Sequence, residues 1–161
     1  MQSQPAPRNM SVLAHHLDAV LASCGDLLQL PEPLAEPTLL ATSVRVLELS
    51  TIMHLLQARH CAKQLGREDP RFASDTSHFL AETAHLPEMA KNFGNSTGEF
   101  FARSQLSNTP KARAEAYKSK AAHFGVLAAL AKWPETSELW QTLQKSYLRL
   151  AAIEGAEAVC A

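Results

Sequence analysis

The sequence predicts an all-α protein, a single-domain bundle of five or six antiparallel helices with a long, largely buried second helix. Three observations carry this. Leu and Ala supply most of the aliphatic side chains while Gly, Tyr and Trp are few (6, 2 and 2), a balance that favours helix over sheet. Proline, twice placed directly behind an Asp or Thr, divides the chain into helix-length runs. Strand signals, alternating β-branched residues joined by Asn-Gly turns, are missing. No internal repeat of fixed period is found.

Each element follows from its own punctuation. Residues 1–10, rich in Gln, Ser and Pro, read as a disordered leader ahead of a helical domain over 11–161. A first helix is expected from Ser11 to Leu30, ended by Pro31, Pro33 and Pro37, which remove donors and clash with preceding carbonyls. The second helix, Pro37 to Gly66, gathers Arg45, Glu48, Arg59 and Lys63 on one narrow arc, with Leu40, Val44, Leu47, Leu49, Met53, Leu56 and Leu65 over most of the rest. So thin a polar stripe predicts a helix surrounded by protein. Asp69-Pro70 starts a third helix, reaching Asn92 and disturbed at Pro87, with Gly94 as its stop. Ser96 and Glu99 form a capping box for a short helix through Leu106. Thr109-Pro110 opens a helix through Trp133, Pro134 breaks it, and a last helix runs from Glu135 to Val159.

Bulk composition bounds the function. At 161 residues, 46% hydrophobic and 19% charged, the chain buries a core of its own without needing a disulfide or a metal. The net charge of −1 gives no cationic footprint for nucleic acid. The densest basic stretch, Arg103 to Lys120, sets five Lys or Arg against one Glu and reads as a solvated helix face. Cys24, Cys61 and Cys160 are far apart, odd in number and outside any Cys-x-x-Cys, which fits a reducing cytoplasm. Against that location, Leu21-Ala-Ser-Cys24 has lipobox form, although His15, His16 and Asp18 interrupt the apolar core that lipoprotein export requires. Asn95-Ser-Thr97 matches a glycosylation triplet, which carries no meaning without export. No apolar run is long enough to span a membrane.

Candidate chemistry is sparse. A di-metal carboxylate bundle needs two Glu-x-x-His pairs and two further Glu; Glu82-Thr-Ala-His85 is one pair, and no second exists. His54, His60 and Glu48 on the second helix complete the set of candidate metal-ligating or catalytic residues. Pairs seven residues apart, His54 with Cys61 and His78 with His85, sit about 10 Å apart along a helix, too far to share one zinc. No Gly-x-Ser-x-Gly elbow and no phosphate-cradling Gly-rich loop is present, and no cofactor is expected.

The run Glu48–Gly66 resembles the central helix of the peroxidase-like AhpD and carboxymuconolactone decarboxylase family, in which Cys-x-x-Cys-x-x-x-His precedes a terminating Gly. The resemblance implies a helix here. Aligned on His60, it places Met53 and Leu56 where the cysteines stand, and a thioether cannot perform thiol–disulfide exchange. It therefore implies no activity.

Three readings remain. The favoured one is a non-enzymatic bundle acting on a protein partner or on itself, anchored by Trp140, Tyr147, Phe100, Phe101 and Trp133. The last residue joins Trp140 and Tyr147 in one stripe if the helix continues past Pro134. The second is a small enzyme or metal binder with a site between the second and third helices. The third is reversible coating of an apolar or lipid surface, as granule-coating phasins do.

Overall fold

The computed structural model describes residues 37–93 and 109–160. The expected leader, first helix, Cys24, glycosylation triplet, Ser96–Leu106 helix, Phe100 and Phe101 lie outside them. The described residues hold four α-helices and no strand. These are α1 (Pro37–Glu68), α2 (Ala73–Glu82), α3 (Pro110–Leu130) and α4 (Pro134–Cys160). A 3₁₀ turn, Pro70–Phe72, joins α1 to α2, and residues 86–93 are again helical.

The caps form as their residue types dictate. The Asp69 carboxylate accepts from the Arg71 amide at 3.1 Å ahead of Pro70, and Thr109 Oγ1 accepts from the Ala112 amide at 3.2 Å ahead of Pro110. Each side chain satisfies a donor that the first turn leaves open, and proline there gives up no helical bond.

The third predicted helix divides earlier than expected. Pro87 has no N–H to give the Thr83 carbonyl, which instead accepts from Leu86 at 3.2 Å. Residues 83–85 thus form a turn, four to two positions ahead of the proline. Pro134 acts in the same way. A continuous helix would press its ring against the Leu130 carbonyl, and α3 ends there, with Ala131 extended (φ −66°, ψ 128°). This corrects the expectation of one helix through Trp133.

α3 and α4 fold back on each other and make the most extensive interface. Arg113 pairs with Glu154, Tyr117 packs on Tyr147, Phe124 on Trp140, and Ser137 Oγ donates to the Ala128 carbonyl at 2.9 Å. These pairs run in opposite directions along the two helices, so the hairpin is antiparallel. Phe124 lies nearly parallel to both Trp140 and Tyr147, with ring centroids 5.8 and 5.7 Å apart.

α1 packs against α2 and α4. Leu40, Val44, Leu47, Leu55, Ala58 and Ala62 bury one side of it in the common core with Phe79, Leu86, Leu139 and Leu143. A Cβ at Gly66 would stand 3.1 Å from Thr76 Oγ1, so glycine permits the close return of α2 along the end of α1.

The burial of α1 differs from the prediction in two respects. Arg45 and Glu48, expected on the solvent stripe, are each 3% exposed. Leu49 and Met53, expected among packed residues, are 39 and 54% exposed, and Val46 beside them is 50% exposed. The helix is one-sided rather than surrounded.

Candidate functional site

Three places concentrate unusual side chains. The first is an ionic cluster where α1 meets the hairpin. Glu48 accepts from Arg45 Nη1 at 2.7 Å, from Lys120 Nζ at 2.6 Å and from the Tyr147 hydroxyl. Arg45 also lies 3.9 Å over the Phe93 ring and donates to the Phe93 carbonyl at 3.3 Å. Burial, then the neighbouring Glu48 charge, holds the Tyr147 phenol far above its ordinary range. Burial pulls the Lys120 ammonium down, and Glu48 pushes it back up. With three donors on one carboxylate and two cations beside it, Glu48 is a poor place for a metal ion, chiefly by charge repulsion. It cross-links α1, α3 and α4.

The second place is a cavity of about 290 Å³ between the end of α2 and the α3–α4 turn, lined by His78, Glu82, His85, Leu127, Leu130 and Trp140 among others. The turn at 83–85 brings Glu82 and His85 to the same wall. The Glu82 carboxylate faces the Lys132 and Trp133 amides and the Thr136 hydroxyl, yet neither oxygen has a partner at normal hydrogen-bond geometry. Burial pushes this carboxyl above its ordinary range, against the pull of those amides, Lys132 and Thr136. Burial also holds His85 below its ordinary value, opposed by its hydrogen bond to the Glu82 backbone and reinforced by His123 and Arg59. The His85 Nε2 is buried and unpartnered, and its ring stands 6.1 Å from that of Trp140.

The third is the outer face of α1. Val46, Leu49 and Met53 recur at i, i+3 and i+7, and half-buried Leu56 continues the row.

The residues singled out from the sequence therefore scatter. Glu82 and His85 come together; Glu48 belongs to the cation cluster; His54 is half-buried with its Nδ1 unpartnered; His60 is exposed. Among the described residues no three His, Cys, Asp or Glu gather closely enough to hold a metal ion. Trp140 and Tyr147 are fully packed in the core, and Trp133 is half-buried with its ring edge-on to Phe79 at 6.2 Å. Trp140 and Tyr147 thus fill the interior with Trp133 against its edge, and the three do not form one stripe on a continuous helix. Sequence reasoning missed Lys120, whose role depends on Glu48, 72 positions away. The Arg45–Glu48 spacing of three was a readable ion-pair signal.

Among the described residues no helix is long and apolar enough to cross a membrane. Comparison of the chain with family models, curated proteins and solved structures finds no match in any of the three.

Proposed function

We propose that this protein functions by self-association, with α1 of one copy packed against α1 of a second. The observation that carries the proposal is the row Val46, Leu49, Met53 and Leu56. Its alternating spacing of three and four is that of the a and d positions through which two helices interlock. A two-fold arrangement uses each residue twice, so a short row suffices for a self-complementary contact. Burying an apolar side chain of this size contributes about 1.5–3 kcal/mol when fully exposed beforehand. Val46, Leu49 and Met53 are only about half exposed and Leu56 less than that, and association itself costs roughly 4–15 kcal/mol. The dimer is accordingly weak and reversible, with a Kd in the micromolar range or above.

Sedimentation velocity of the full chain across the micromolar range tests this. The wild type is expected to shift from monomer to dimer with concentration. Met53→Asp, which places a charge in the middle of the row, abolishes the shift. Leu148→Asp, at an exposed apolar position on α4, leaves it intact. A wild type that stays monomeric throughout, or a dimer indifferent to Met53→Asp, overturns the proposal.

A further inference from the structure

We propose that the two copies of α1 meet antiparallel, related by a two-fold axis that crosses the helices between Leu49 and Met53. The inference rests on the self-association read from the outer face of α1, and it sets which way round the second copy lies.

The apolar row does not end its line along the helix. Continued at the same alternating spacing, Val46, Leu49, Met53 and Leu56 lead to His60, Lys63 and Arg67, all three exposed. One line along α1 is therefore apolar first and basic afterwards. The residues on its open flank, Ser50, Gln57 and Gln64, carry no charge. On the other flank Arg45 is committed to Glu48, and Arg59 to the Leu80 carbonyl and the Thr83 hydroxyl. The charges that orient a second α1 are thus those on the line itself.

A parallel pair would set each residue level with its own copy, Lys63 beside Lys63 and Arg67 beside Arg67, with the helix axes about 8–10 Å apart. Like charges held that close oppose association. Glu68, the one acid between residues 60 and 68, lies about 140° round the helix from Lys63 and about 100° from Arg67, off the line. An antiparallel pair keeps every apolar layer and parts the charges. Val46 meets Leu56 and Leu49 meets Met53, each twice, giving four layers with no polar member. His60 comes level with Thr42 of the second copy, and Lys63 with the first turn of its α1. At 1.5 Å per residue the two Lys63 positions then stand about 36 Å apart along the axis, and the two Arg67 positions about 48 Å. Both spans are several times the screening length of about 8 Å at physiological salt. The row is short and its dimer weak, so repulsion between the copies decides the orientation.

Spin-label distances between copies of the full chain test this, with Cys24→Ala, Cys61→Ala and Cys160→Ala removing the native thiols and Gln57→Cys or Gln64→Cys carrying the label. Both label positions are exposed, seven residues apart on one face. Moving the label from 57 to 64 is expected to lengthen the distance by roughly 20 Å, as an antiparallel pair requires. Equal distances at the two positions mean a parallel pair; they overturn the orientation and leave the association of α1 standing. A wild type that never dimerises in sedimentation, or a dimer indifferent to Met53→Asp, removes the association and the orientation with it. If the labelled chains do not dimerise, the wild type decides through salt. Its Kd is expected to stay within about twofold as sodium chloride rises from roughly 0.05 to 0.5 M, because the cations of the two copies already lie beyond screening range. A dimer that tightens several-fold over that range is opposed by like charges at close quarters, which overturns the inference.

Discussion

Replacing Glu48 by Gln probes the centre of the structure with almost no change of volume. In the wild type the carboxylate holds Arg45, Lys120 and Tyr147 at once. The amide keeps the shape, loses the charge, and turns an NH₂ toward groups that are themselves donors. Arg45, 3% exposed, then loses the Glu48 charge beside it, and breaking a buried ion pair from one side costs about 3–5 kcal/mol. Tyr147→Phe removes one hydrogen bond to a charged acceptor but leaves both cations paired, so its cost is about 1.5–3 kcal/mol. Lys120→Met costs least, about 1 kcal/mol or below, because the ammonium reaches solvent and can be hydrated there. Against a total stability of about 5–15 kcal/mol for a domain, the first change removes a large share. Urea unfolding of the three variants, followed by far-UV circular dichroism, gives the order directly, provided the slopes match that of the wild type. A Glu48→Gln variant within about 1 kcal/mol of wild type, or a Lys120→Met variant that is worse than it, refutes the assignment of Glu48 as the joint of three helices.

Two further outcomes are expected. Gly155 lies within α4, and a Cβ there meets nothing within 4 Å; Gly155→Ala therefore stabilises by about 0.5–1 kcal/mol, a rise in Tm of roughly 1–4 °C by calorimetry. Glu82 and His85 shape the acid response with opposite signs. Burial raises Glu82 above 4.5, so its ionised form costs stability, and the cost is relieved as pH falls through the folded value toward 4.5. Burial lowers His85 below 6.5, so the unfolded chain takes up that proton first and stability is lost as pH falls below 6.5. Denaturant midpoints measured between neutral and mildly acid pH should fall more steeply for Glu82→Gln than for wild type, and less steeply for His85→Gln.

What the sequence made legible was local. Asp69-Pro70 and Thr109-Pro110 specify their caps within three residues, and both caps form. The long helix from Pro37 was readable because its pattern is repeated over many turns. Pro87 and Pro134 announced interruptions, but the position of each break depends on which carbonyl loses its donor, and both fell several residues ahead. The arc of Arg45, Glu48 and Arg59 was correctly seen and wrongly aimed. Charge on a helix face ordinarily points to water. Here Glu48 points inward because Tyr147, 99 positions away, supplies a hydroxyl, and Arg59 because the Leu80 carbonyl and Thr83 hydroxyl accept from it. No window along the chain contains those partners.

The inward charges and the outward apolar row of α1 lie on different faces of one helix. At 100° per residue, Glu48 and Met53 lie well over a quarter-turn apart on the helix surface. Turning α1 about its axis to bury Val46, Leu49 and Met53 would carry Glu48 away from Lys120 and Tyr147, and sliding it by one turn, about 5.4 Å, would break the same bonds. Either motion strands a buried charge. The ionic joint therefore adds to the register that Leu47, Leu55 and Ala58 already set by packing in the core, and the apolar row is left facing out. Replacing both members, Arg45→Met with Glu48→Leu, removes the ionic part of that register; Lys120 turns to solvent, and the Tyr147 hydroxyl loses its acceptor. The double variant is expected to be more stable than Glu48→Gln alone and to keep the concentration-dependent dimer, because Leu47, Leu55 and Ala58 still hold the row outward. A double variant that loses the dimer would show that the core residues alone do not hold the row outward and that the ionic joint does.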